Sequence, residues 1–297
     1  MTPQTRRWSL ALAVPVLALV STGPAVAIPT VFTDSGANAA AITGGVNAFR
    51  AALGNPDNLN APGPLGSGRR EINWDGGGAT SGTAAVTPFL VFQNTRGATF
   101  TTPGSGLTQT PITGGTVDIA PALPGQQNNL ADINPAYATA FATFSPLRLF
   151  APLDSNITDG TFSIPGTNGA APATVSGFGA VFTDVDLATS STLQFFGPDG
   201  SSLGVFSVPV GGTADGSLSF LGVTFSTEQI ARVRIVTGTT ALGPSDGPGV
   251  DVVVLDDFLY AEPRAAIPEP STLLLLGAVF LAGFALARKP KRQSFAR

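Results

Sequence analysis

The sequence predicts an all-β protein, an antiparallel β-sandwich or jelly roll, with an N-terminal signal peptide and one C-terminal hydrophobic helix. Three observations predict this. No long stretch of the body keeps a 3.6-residue apolar period with good helix formers. The apolar runs are short, rich in Val, Phe and Thr, and stopped by Gly, Pro, Asn or Asp. In the C-terminal half they recur at intervals of roughly a dozen residues, as in a sandwich or jelly roll.

Taken in order, residues Asn47 to Leu53 have room for one helical turn or two. Leu53 to Gly68 is a loop of Gly, Pro and Asn, and Arg69 to Gly76 is the most unusual local sequence. Pro88 to Phe92 and Ala98 to Thr102 read as strands. Ala136 to Phe150 carries Tyr137, Phe141, Phe144 and Phe150 and reads as one or two core strands with a turn at Ser145-Pro146. Val175 to Phe182 is the next strand. Leu193 to Phe196 and Leu203 to Val208 flank Gly197-Pro198-Asp199-Gly200, where Pro presets φ and Gly accepts a positive one, so they form a hairpin. Ser217 to Phe225 follows. Ile230 to Val236 places Arg232 and Arg234 on one face and Val233 and Ile235 on the other. Val250 to Tyr260 is the last strand.

The two ends read as addresses. Arg6 and Arg7 precede an apolar run from Leu10 to Val20, and Ala25-Val26-Ala27 supplies the small residues of a cleavage site. That order is a secretory signal peptide over residues 1–27, with Ala25 and Ala27 at the cut and the Sec translocon as the route. The run is too short to span a hydrocarbon core of ~30 Å. At the other end, Pro268-Glu269-Pro270 precedes an uncharged apolar run, Thr272 to Ala287, closed by Arg288, Lys289, Lys291 and Arg292. The basic cluster would stay cytoplasmic. These three parts, in this order, resemble the PEP-CTERM sorting signal of Gram-negative bacteria. The resemblance implies that a membrane enzyme, exosortase, recognises and removes the tail, residues 264–297. The protein would pass transiently through the inner membrane to the cell surface or extracellular matrix. A plain C-terminal anchor is the alternative.

The body is residues 28–263; between Ile28 and Ile267 the chain holds eight Arg against fifteen Asp and three Glu, a balance of −10 that repels phosphate backbones and argues against nucleic acid. Its sub-lobes would be 28–150 and 151–263. The chain has no Cys and no His, which removes disulfides, thiol nucleophiles, His-ligated metals and the Ser-His-Asp triad. No Lys lies in the body to serve as a base, and Glu71, Glu228 and Glu262 show no paired-carboxylate motif, so no catalysis is expected. Asn156-Ile157-Thr158 is a sequon explained by chance in a bacterial setting.

Four segments carry a further resemblance: Arg70 to Gly76, Thr102 to Gly106, Gly177 to Asp186 and Leu255 to Phe258. They resemble a family of secreted bacterial proteins of unknown function, whose second half is similar to lectin-like and galactose-binding-like jelly rolls. Such jelly rolls often hold a structural calcium near a terminal-strand aspartate. The resemblance therefore implies Asp257 with Asp184 or Asp186 as ligands of a structural Ca²⁺. Asp184 and Asp186 would share a strand face, whereas Asp256 and Asp257 would point oppositely. The bland reading leaves these aspartates bonded to backbone N–H groups or facing water. Trp74, with Asn73 and Asp75, would offer a sugar-stacking platform, or Trp74 would anchor the core. The expectation is an exported, non-catalytic surface or exopolysaccharide (biofilm) matrix protein that binds glycans. A purely structural surface protein, or a polysaccharide-processing enzyme, are the alternatives.

Overall fold

The computed structural model describes residues 28–75, 86–110, 130–131, 133–146 and 148–266, together with residue 277. Ala25 and Ala27 of the signal peptide lie outside the described residues, as do Pro268, Glu269, Pro270, Arg288, Lys289, Lys291 and Arg292 of the tail. Among the described residues no helix is long and apolar enough to cross a membrane.

The strands are β1 (Thr30–Gly36), β2 (Arg69–Ile72), β3 (Ala98–Thr101), β4 (Gly106–Gln109), β5 (Phe150–Leu153), β6 (Ile157–Phe162), β7 (Gly177–Thr183), β8 (Thr192–Phe196), β9 (Ser202–Ser207), β10 (Leu218–Thr224), β11 (Arg232–Val236) and β12 (Val254–Ala261). They form two antiparallel sheets. One runs β1-β10-β7-β12-β5-β4 with β2 also on β12; the other runs β3-β6-β11-β8-β9. Leu193, Phe195, Val233 and Ile235 of the smaller sheet share one apolar core with Phe178, Phe182 and Phe258 of the larger. The observed architecture is thus the mostly antiparallel β-sandwich that the punctuation predicts. The boundary between residues 150 and 151 falls inside β5, and each half of the body supplies strands to both sheets.

Several elements differ from the sequence expectation. The helix α1 spans Ala39–Leu53, not merely its last seven residues. Asn38 caps it by accepting from Ala41 N at 3.2 Å. Ile42, Val46, Phe49 and Leu53 form its buried stripe. Their spacing of four, three and four is helical, but Thr43, Gly44 and Gly45 are poor helix formers and conceal it. Tertiary packing supplies what propensity lacks, because α1 lies on β1 and β10. The Phe49 ring covers Gly179 of β7 and Gly222 of β10, which are direct cross-strand partners. A Cβ built on Gly222 would stand 2.6 Å from that ring.

Ala136 to Phe150 is not a pair of core strands. It forms a short helix, α3 (Tyr137–Ala140), then a loop that enters β5 only at Phe150. Tyr137, Phe141 and Leu149 instead fill a small second cluster with Val252 and Val254. Pro88 to Phe92 contributes one isolated bridge, Phe89 to Phe100, before a four-residue helix, α2 (Gln93–Arg96). The strong strand signals hold. The β8–β9 hairpin turns at Gly200, φ 81°. On β11, Val233 and Ile235 are buried while Arg232 and Arg234 both pair with Asp159 of β6.

Candidate functional site

The site is created by an irregularity in β12. Its register with β7 shifts between Leu255 and Phe258, so Asp256 and Asp257 stand in a β-bulge. On a regular strand the two carboxylates would point oppositely, as the sequence predicts. In the bulge both approach one hydroxyl: Ser145 Oγ lies 2.7 Å from Asp257 Oδ1 and 3.3 Å from Asp256 Oδ1. The same Oγ is 3.2 Å from Asp75 Oδ2. A hydroxyl has one proton, so Ser145 donates to one of these at a time.

Trp74 lies beneath this cluster and is 1% exposed. Its ring stacks on Phe150 at 3.7 Å and meets Phe258, Phe89 and Phe92 edge-on. Neither ring face is open to a sugar, so Trp74 is the core anchor and not the stacking platform. Burial alternates along this segment, so Trp74 points inward with Arg70 and Ile72 while Asn73 is exposed and Asp75 half-buried. Its Nε1 donates to the Asp256 carbonyl at 2.9 Å.

Around Ser145 opens a cleft of about 300 Å³, lined among others by Arg50, Glu71, Asn73, Arg96, Phe144 and Asp257. Glu71 is held by two guanidiniums, 2.8 Å from Arg50 and 2.5 Å from Arg69. Burial opposes its ionisation, but hydrogen bonds from Arg50 and Arg69 prevail and hold its carboxyl below the ordinary range. Asp75 behaves oppositely. Burial, reinforced by the charge of Asp257, pushes it up to about 6, against the hydrogen bond from Ser145. Asp256 is pushed well above the carboxylate range by burial and by the charge of Asp257. Burial raises Asp257 as well, opposed by Ser145, Asp256 and Arg50.

The other sequence-singled acids are accounted for elsewhere. Glu262 is locked in a buried bidentate pair with Arg70, at 2.7 and 2.8 Å, and accepts from Asn58 at 2.8 Å. Glu228 faces Arg264 at 3.6 Å. Asp184 and Asp186 do not join Asp257 as a Ca²⁺ site. The charges acting on them are Asp215, Asp246 and, for Asp186, Asp251, whereas Asp257 feels Asp256, Arg50 and Glu71. Two residues apart, Asp184 and Asp186 follow the end of β7, where Asp184 turns to φ 70° and breaks the strand geometry that the pairing assumed. Among the described residues no group of three carboxylates stands at metal-holding distance.

The structure therefore unites Asn73, Asp75 and Asp257, removes Trp74, and adds Arg50, Arg96 and Ser145. Nothing in the linear pattern marks those three. Arg50 sits on the poorly legible α1, and Ser145 reads as an ordinary turn residue before Pro146.

The site sits on an all-β sandwich destined for export. Residues 266–289 match the family described as the PEP-CTERM protein-sorting motif. The motif indicates an exported protein sorted by exosortase, a membrane enzyme, and placed at the cell surface or outside the cell after membrane transit. No curated protein and no solved structure matches the chain.

Proposed function

We propose that the exported body, beginning at Ile28 after removal of the signal peptide, is a non-catalytic surface or matrix protein that binds glycans in the Ser145 cleft. The observation that supports this is the convergence of Arg50, Asn73, Arg96, Ser145 and Asp257 on one polar cleft. Guanidinium and amide N–H groups donate to sugar hydroxyls, and carboxylates accept from them. Phe144, also lining the cleft, supplies an apolar surface for pyranose C–H groups in place of Trp74. Export toward the exopolysaccharide supplies the partner.

The test is a glycan array, including the host's own polysaccharide, probed with processed protein purified from the producing cells. Binding that Asn73→Ala weakens tenfold or more, with Tm unchanged, supports the reading. No binding to any glycan leaves a purely structural surface protein. One observation favours a second reading: Asp75, titrating at about 6 beside Asp257, is suited to proton transfer. Release of reducing ends from the host polysaccharide would make the protein a processing enzyme instead.

A further inference from the structure

The fold holds the chain firmly up to Arg264. The Arg264 N–H donates to the Thr174 carbonyl at 2.9 Å, and the Thr174 N–H donates to the Arg264 carbonyl at 2.8 Å. The Arg264 guanidinium bonds the Gly66 carbonyl and lies 3.6 Å from Glu228. Glu262, just upstream, is locked in its buried pair with Arg70, so the fold yields no slack there. Ala265 and Ala266 are exposed, and the match to the sorting motif begins at residue 266. The four residues from Arg264 to Pro268 span at most ~14 Å when fully extended. A domain of 100 residues already has a radius of gyration of about 13 Å. An enzyme that holds Pro268-Glu269-Pro270 therefore necessarily meets the end of the sandwich from which the tail leaves.

The two ends of the sandwich differ in chemistry. Segments 61–67, 163–174 and 226–230 surround Arg264, joined by a Gly63 N–H to Pro165 carbonyl bond at 2.8 Å and a Thr174 hydroxyl to Glu228 carbonyl bond at 3.0 Å. Pro62, Pro64, Ala170, Pro172 and Ser226 are exposed on them. The three segments contain one charged residue, Glu228, and Arg264 faces it. The α1–β2 and β8–β9 connections at the same end add Asp57 and Asp199. At the opposite end, Thr183 of β7 is level with Leu218 of β10 and Val254 of β12, and Val236 of β11 with Ile157 of β6 and Thr192 of β8. The β5–β6, β7–β8, β9–β10 and β11–β12 connections meet there. They hold Asp154, Asp184, Asp186, Asp215, Asp246 and Asp251 and no basic residue. That end is a strand length, roughly 25 Å, farther from the tail. The buried core of a protein interface is depleted of charged residues. The tail-bearing end satisfies this, and the far end does not.

We propose that the end of the sandwich around Arg264, formed by segments 61–67, 163–174 and 226–230, is a docking surface for the membrane-bound sorting enzyme, which engages the folded body together with the tail. The short tether holds this surface against the enzyme. Its loops pack there without stranding an unpaired charge, and the aspartate-rich end points away from the membrane. Removal of the tail ends the tethering and frees the body. The inference rests on the sorting motif and on the position of Arg264, and it is independent of glycan binding in the Ser145 cleft.

The test uses the full chain in producing cells that carry an epitope-tagged exosortase. A photo-crosslinking amino acid is placed singly at Ala170, at Ser226 or, on the far end, at Asp215; all three positions are exposed. Adducts with exosortase are expected from Ala170 and Ser226 in at least tenfold excess over Asp215. Pulse–chase labelling then follows tail removal in Ala170→Asp, Ser226→Asp and the far-end control Thr213→Asp. Both variants at the tail-bearing end should be processed at least threefold more slowly, and the control at the wild-type rate. An unchanged Tm of the processed protein separates slower processing from misfolding, and Ser226→Asp decides alone if Ala170→Asp folds poorly. Equal adducts from all three positions overturn the proposal. So does the absence of adducts from Ala170 and Ser226 in cells that remove the tail, or a wild-type rate in both variants.

Discussion

The indole N–H of Trp74 donates to the backbone carbonyl of Asp256 across 2.9 Å. That carbonyl belongs to the bulge of β12, where ladder pairing with β7 is interrupted. The bond satisfies a main-chain group that the bulge would leave bare, and it fixes the largest core side chain directly under the acidic cleft. Trp74→Phe keeps most of the ring packing but removes the donor, and should cost about 1–3 kcal/mol. Trp74→Ala should cost about 3–5 kcal/mol. Urea unfolding followed by circular dichroism measures both, and a loss under 0.5 kcal/mol in Trp74→Ala would contradict the anchor role.

The Arg70–Glu262 pair is fully buried and its oxygens also accept from Asn58 and from Leu65 N. Removing one charge strands the other in the interior. Glu262→Gln is therefore expected to destabilise by about 3–5 kcal/mol. The double variant Arg70→Met/Glu262→Leu should recover much of that loss, because both desolvation penalties vanish together. A double variant no better than the single one would show that Arg70 acts mainly through its bonds to the Leu59 and Ala61 carbonyls.

Stability should change with pH in a window to which Asp75 and Asp184 both contribute, the latter pushed up to about 8 by burial and by the charge of Asp186. The Asp75 carboxyl titrates at about 6 in the folded chain and at its ordinary 3.8 when unfolded. Between those values the folded chain holds a proton that the unfolded chain has released, so stability rises as pH falls from about 6 towards 4. Asp256, raised by burial and by Asp257, adds in the same direction. Glu71 acts oppositely: its lowered carboxyl contributes stability above 4.5 that is lost as pH falls below it. The optimum is therefore expected near pH 4.5, and Asp75→Asn should flatten the slope between 6 and 4. Denaturant midpoints measured from pH 4 to 8 would show it; stability rising from pH 5 to 7 would oppose it.

The close approach of α1 to the larger sheet depends on two glycines. Phe49 lies over Gly222, and a methyl there meets three ring carbons at 2.6–2.8 Å. Gly222→Ala should cost roughly 1–3 kcal/mol through overpacking. Combining it with Phe49→Leu should cost less than the two single effects summed, since the smaller side chain yields space. Strict additivity would place the strain elsewhere.

Much of the architecture is legible in the linear pattern, and the reasons are physical. Gly197 to Gly200 contains its own turn chemistry, so the β8–β9 hairpin needs no distant partner. The alternation of Arg232, Val233, Arg234 and Ile235 maps onto one wet and one dry face. By contrast α1 is held by packing, and β1 and β6 gain their identity from pairing with β10 and β11 across long separations. No local window contains that information.

The cleft shows the same division. Composition alone removes cysteine, histidine and lysine chemistry from the body, and the tail's Pro-Glu-Pro, apolar run and basic cluster determine that the protein is sorted for export, because each signal is contiguous. Which acids meet is decided only by tertiary structure. A one-residue bulge turns Asp256 and Asp257 towards the same hydroxyl, and the rings of Phe89, Phe92, Phe150 and Phe258 enclose Trp74. Side-chain direction on a strand flips with every residue, so a single irregularity in the backbone reassigns every partner beyond it.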